Sequence, residues 1–184
     1  MTTYPLDEKY IPEWVSLLQQ DLLCIYPTDS IYGIGGVAHE HTAAAIKGVK
    51  GRGAGKSFSV IAPSVQWITT HCTVPPSFDF SYRQPTTYLF RKKEAGSFLY
   101  LSETDRLGVR LLPPEHVIQK LTATVQQPLI STSANHSGEP VGSTIEEIPP
   151  SLRESVAFII DAGTALTTPS RLLDADTGKE ILRS

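Results

Sequence analysis

KGRGAGKS, residues 50–57, is the stretch on which the fold turns. It comes within one position of the Walker A pattern: Gly55, Lys56 and Ser57 fit, and Lys50 stands where the first glycine belongs. A P-loop leaves a buried strand and enters the N-terminus of a helix, whose free N–H groups face the phosphates. Here the flanks run the other way. Upstream, HTAAAIKGVK (41–50) sets Ala43, Ile46 and Val49 at helical spacing, whereas downstream FSVIA (58–62) is a short apolar run of strand character. The segment therefore predicts helix, basic glycine-rich loop, strand. P-loop phosphoryl transfer would need a strand before Lys50 and a helix after it, so the order of elements argues against it. The charge still needs a reason, because Lys47, Lys50, Arg52 and Lys56 follow one another with no carboxylate among them. A solvated loop is the ordinary fate of such a run, and a pocket for a compact polyanion is the sharper one.

Working outward, Trp14, Val15, Leu17 and Leu18 after Pro12 predict an amphipathic helix, and LLCIY (22–26) a buried strand that PTDS (27–30) breaks before IYGIGG (31–36). Beyond the basic loop, SVQWITTHC (64–72) reads as a helix. TTYLFRK (86–92) and FLYL (98–101) read as a hairpin joined by KEAGS. RLGVRLL (106–112) is a strand, and PPEHVIQKLTATVQ (113–126) is a helix starting at Pro114. PLISTSAN (128–135) runs from a strand into a polar loop. A helix near 144–156, a strand in AFIIDAG (157–163) and a last strand after Ser170 complete the chain. Strands and helices mix without strict alternation, which predicts one α/β domain over residues 1–184 with a twisted mixed sheet.

Composition narrows the function classes. With 40% hydrophobic and 19% charged residues the chain can bury an ordinary core, so disorder is excluded. It contains no apolar run long enough to span a bilayer, and MTTYPLDEKY lacks the plan of a signal peptide, so the expected location is the cytoplasm. A net charge of −3 argues against a protein whose main task is to coat nucleic acid. Cys24 and Cys72 sit beside apolar or β-branched residues, as reduced buried thiols do. The five histidines show no H-E-x-x-H spacing, and HEH (39–41) is too short to present two ligands from one helical face, so no protein-held metal is expected.

Polar clusters fall at the ends of the predicted strands: PTDS with Tyr32, the basic loop, PTT (85–87) and STSAN (131–135). Each alone is ordinary turn chemistry. A serine nucleophile in STSAN with His136 as base fails for want of a G-x-S-x-G elbow. Hydroxyls and an amide side by side do suit phosphate oxygens or a ribose. In chain order, YPTDSIYGIGG, KGR with Lys56, PTTYLF, GVRLL, STSANHSGEP and TTPSRLLD resemble the YrdC-like family, whose main members are threonylcarbamoyl-AMP synthases.

That resemblance spans roughly Leu22 to Asp174 and implies a concave, positively charged pocket in the α/β sheet. It also implies a reaction in which L-threonine, bicarbonate and ATP, with Mg²⁺ accompanying the ATP, give threonylcarbamoyl-AMP and pyrophosphate. The product would serve other proteins that transfer it to tRNA. Carried over by motif, Lys50, Arg52 and Lys56 are the catalytic cations and hold ATP, together with Thr87, Ser133, Asn135 and Ser170. Thr28, Tyr32, Arg110 and Ser133 fall on the threonine and carbamate side. The chain departs from the family where Gly53 and Ala54 replace the proline after K-x-R, which leaves the loop more conformational freedom, and where YRQP (82–85) replaces WPGP. The alternative from another class is a nucleotide or RNA binder of the same fold that makes no adenylate, with Tyr32 and Phe58 available to stack a base; RNA binding would then be weak.

Overall fold

A computed structural model describes residues 1–51 and 55–182. The helix predicted before the basic loop is α2 (Glu40–Lys50), and it closes on Gly51, whose φ of 58° is a left-handed C-cap that glycine adopts without strain. The strand predicted after the loop is β4 (Ser59–Ile61). Helix, loop, strand is thus the observed order, opposite to that of a P-loop.

The remaining helices are α1 (Ile11–Leu18), α3 (Val65–His71), α4 (Val117–Val125) and α5 (Pro150–Glu154). The remaining strands are β1 (Thr2–Pro5), β2 (Cys24–Pro27), β3 (Tyr32–Gly35), β5 (Cys72–Thr73), β6 (Thr86–Lys92), β7 (Arg106–Arg110), β8 (Leu129–Ser133), β9 (Phe158–Asp161) and β10 (Arg171–Asp174). They form one sheet in the order β1-β9-β2-β3-β8-β4-β7-β6-β10, with β5 paired to β6 off that path. Pairing is mixed: β1 with β9, β9 with β2, β4 with β7 and β6 with β10 are parallel, and the other neighbours are antiparallel.

Both faces of the sheet are covered by helices. On one side Ile25, Ile34, Val60, Leu107, Val109 and Ile130 meet Ile46 of α2, Ile68 of α3 and Leu152 of α5. On the other, Cys24, Tyr26, Ile61, Leu129 and Phe158 meet Trp14 and Leu18 of α1 and Ile118 and Leu121 of α4. Alternation along each strand sends successive side chains into these opposite layers.

Three sequence expectations change, and one strand, β1, was not foreseen. The helix expected near 144–156 is confined to α5, which starts only after Pro149. FLYL (98–101) is a turn, with Phe98 at φ 51°, and β6 takes β7 as its antiparallel partner instead. The apolar side chains that suggested a strand are spent otherwise: Phe98 packs on Trp67 and His71, and the Tyr100 hydroxyl donates to Ala38 O at 2.6 Å. The helix read from Pro114 begins at Val117, because the His116 ring accepts from the Ile118 N–H at 3.2 Å and caps it there. The edge strand β1 has only Tyr4 buried, so it carries no readable period.

Candidate functional site

Strand alternation assembles the site. Ile34, Val60, Leu107, Val109 and Ile130 point into the α2 layer, so Gly33, Ser59, Gly108, Ser131, Ser133 and Arg110 point the other way. The register sets them side by side: Gly33 opposite Ser133, and Ser59 opposite both Ser131 and Gly108. A Cβ on Gly108 would stand 2.8 Å from Ser59 Oγ, so Gly33, Ser59, Gly108, Ser131 and Ser133 floor a patch of this face with nothing larger than a hydroxyl. Thr87 precedes Tyr88, which packs in the α2 layer, and therefore belongs to the same floor.

Lys50 closes one end of it. Its side chain leaves the last turn of α2 and is buried, with 3% exposure. The ammonium donates to Ser133 O, to Asn135 O at 2.5 Å and to Asn135 Oδ1 at 3.4 Å. Ser133 Oγ donates to Asn135 Oδ1 at 2.5 Å, and Asn135 Nδ2 donates to Glu139 O at 2.5 Å. A positive charge, a hydroxyl and an amide are thereby fixed at the end of β8. Carbonyl oxygens hold the ammonium, so Lys50 shapes the loop after β8 as well as charging it.

Arg110 closes the other end, with 5% exposure. Its Nη2 forms an ion pair with Asp29 Oδ1 and donates to Ser30 Oγ at 3.2 Å. Burial pushes the guanidinium below its ordinary value and the Asp29 charge opposes that shift. Arg110 Nε and Asp29 Oδ2 are buried without a hydrogen-bond partner among the described residues, so both ends of this pair keep capacity for a ligand. Burial, and then the Asp29 charge, push the Tyr82 phenol up to about 12. Burial lowers His116, against the opposing pull of Asp29 and a hydrogen bond to the Thr28 backbone.

The other expected residues divide. Thr87 Oγ1 and Ser170 Oγ lie 2.8 Å apart, so β6 and the segment before β10 bring that pair together. Thr28 is spent within its own turn: its hydroxyl donates to Ile31 O at 2.8 Å and accepts from the Ser30 and Ile31 N–H groups at 3.2 Å. Tyr32 does not reach the floor. Alternation on β3 turns its ring into the α2 layer at 0% exposure, and its hydroxyl lies 3.0 Å from Asp161 Oδ1 and 2.9 Å from Gly163 O. Phe58 is likewise core, so neither ring is free to stack a base. Lys56 is exposed and lines a separate hollow of about 200 Å³ with Lys47, Ser57, Tyr100 and Ser102. Arg52, Gly53 and Ala54 lie outside the described residues.

Sequence reading missed Asp29, Ser30, Tyr82 and His116. PTDS carries the first two, but as turn chemistry; that Asp29 is the counter-ion of Arg110 depends on a contact across 81 residues. A larger hollow of about 380 Å³, open to solvent, lies under Phe78, Phe80, Tyr88 and Phe90 on the α2 side of the sheet, and Tyr82 and Thr86 reach its lining.

A mixed α/β sheet whose polar strand ends and buried cations gather on one face defines a small-molecule-binding α/β protein. The chain belongs to the Sua5/YciO/YrdC family, whose model, described as telomere recombination, matches residues 16–184. It is 28% identical over 182 residues to the threonylcarbamoyl-AMP synthase of Xylella fastidiosa strain M23, covering 94% of this chain and 96% of that one. Its fold is that of E. coli YciO, at a TM-score of 0.83 and 20% identity, over 99% of this chain and 94% of that one. P. abyssi Sua5 complexed with L-threonine matches at a TM-score of 0.80 and 21% identity over 97% of this chain. This chain spans 54% of that Sua5 chain, and 59% of the chain in the H234A/Y235A structure of Sua5. No described helix is long and apolar enough to cross a membrane.

Proposed function

We propose that this protein is a threonylcarbamoyl-AMP synthase, a nucleotidyltransferase that converts L-threonine, bicarbonate and ATP to threonylcarbamoyl-AMP and pyrophosphate for tRNA modification. Family membership and the Xylella synthase, similar over nearly the whole of both chains, support the reading. The observation that carries it is the Lys50 ammonium held against Ser133 and Asn135 at the end of β8.

The chemistry is a meeting of anions. A carbamate oxygen, formed from the threonine amine and bicarbonate, attacks the α-phosphorus; the bond to the β-phosphate oxygen breaks and pyrophosphate departs with the electron pair. Repulsion between carbamate and triphosphate is the obstacle, and fixed cations in a partly dry site lower it. Lys50 supplies one such charge, buried beside the Ser133 hydroxyl and the Asn135 amide, which hold nucleotide and carbamate. Arg52 neutralises the phosphates and the departing pyrophosphate, Lys56 adds positive charge from the neighbouring hollow, and ATP enters as its Mg²⁺ complex. Thr87 and Ser170, already paired, offer hydroxyls to the nucleotide. Arg110 and Asp29, with the capacity they retain, suit the two charges of a free amino acid, while Thr28 keeps their loop in shape. No side-chain nucleophile is needed, because orientation supplies much of the rate.

Pyrophosphate release, with mass detection of the adenylate, tests the reading. Release should require threonine, bicarbonate and ATP together. Release that ignores threonine, or no release from a protein that binds ATP, would overturn it.

A further inference from the structure

At the far end of β8 from Ser133, three side chains that the proposed reaction does not use converge. Asp21 follows α1 with a left-handed backbone, φ 60°, and its Oδ1 lies 2.8 Å from His39 Nδ1 and its Oδ2 3.1 Å from His41 Nε2. His39 Nε2 in turn lies 3.0 Å from Gln127 Oε1. With the Gln127 oxygen accepting from Nε2–H, the His39 ring turns its Nδ1 lone pair toward Asp21; with the amide turned over, Nδ1–H donates to Asp21 instead. The first arrangement presents a lone pair and a carboxylate oxygen to the same point, as a bound cation requires. One metal ion would serve all three donors, which lie within 4.8 Å of one another. Donors around a tetrahedral zinc stand about 3.4 Å apart, so small side-chain adjustments suffice.

We propose that Asp21, His39 and His41 bind one divalent ion of the zinc class, with Gln127 fixing the His39 ring from behind. Two imidazoles and a carboxylate are the donor set such ions prefer, and the hydrogen bond from the non-ligating nitrogen is the usual outer-shell support. Side-chain exposures of 40%, 41% and 59% leave water room to complete the shell. The expectation that HEH could not chelate assumed a helix across both histidines. His39 is instead the extended N-cap of α2, at φ −113° and ψ 161°, and its ring comes back to 5.3 Å from that of His41. The ion would clip together the α1–β2 turn, the start of α2 and the turn before β8, and so stabilise the fold by linkage.

The test is titration of chelator-treated protein with Co²⁺ and Zn²⁺, following the visible cobalt band and competition with a chromophoric chelator. Wild type should bind one equivalent and melt at a higher temperature with Zn²⁺ than in chelator. Asp21→Asn and His41→Gln should lose both effects while melting like wild type in chelator, and Gln127→Ala should bind about tenfold more weakly. Absence of saturable binding by wild type, or equal binding by Asp21→Asn and His41→Gln, would overturn the site.

Discussion

Lys50 concentrates the energetic and the chemical roles in one side chain. Replacing it with Ala removes a buried donor from Ser133 O and Asn135 O and should cost about 1–3 kcal/mol, read from urea unfolding. The same change should slow pyrophosphate release about 10²-fold, the usual effect of deleting one preorganised electrostatic donor. A variant with wild-type turnover would remove Lys50 from the site. His116 makes a pH prediction. Burial lowers its pKa in the folded state, so on acidification the unfolded chain takes up the proton first. Stability is then fully present above the unfolded value, about 6.5, and is lost as pH falls toward the folded pKa. His116→Gln should flatten the fall in melting temperature between about pH 7 and pH 5; an unchanged slope would contradict the assignment. At this scale Lys50, Ser133 and Asn135 were legible because their motifs lie at predicted strand and helix ends. Tyr32 was misplaced because its motif says nothing about which face of a strand it occupies.

Among the elements, the glycines of β3 separate fold from function. A Cβ on Gly35 would lie 1.8 Å from Ile130 O, a backbone atom that cannot yield without parting β3 from β8. Gly35→Ala should therefore destabilise by about 3 kcal/mol or more. On Gly33 the nearest atom would be Thr132 O at 3.4 Å, an ordinary contact, but the methyl would stand beside Ser133 on the site floor. Gly33→Ala should keep the melting temperature and lose turnover; thermal melts and pyrophosphate assays on the pair check both. Most elements were readable from periodicity. FLYL was not, because apolar side chains packing on Trp67 and His71 from a turn look, in sequence, like the buried half of a strand.

Across the whole molecule, the mixed sheet was foreseeable from the irregular mixture of strands and helices, but its order was not. Inserting β9 between β1 and β2 and setting β10 beside β6 requires partners far apart in the chain, and short strands leave no mark of their neighbours. For the same reason the site was legible as a set of motifs and not as one face of the sheet. That face, with Lys50 at one end and Arg110 at the other, is what the proposed chemistry requires. Titrating isotope-labelled protein with a non-hydrolysable ATP analogue and L-threonine, and following backbone amide resonances, tests it most directly. Shifts should centre on Gly33, Gly108, Ser131, Ser133 and Asn135, leaving Phe78 and Phe80 unmoved; shifts centred on the aromatic hollow, with the end of β8 silent, would contradict it.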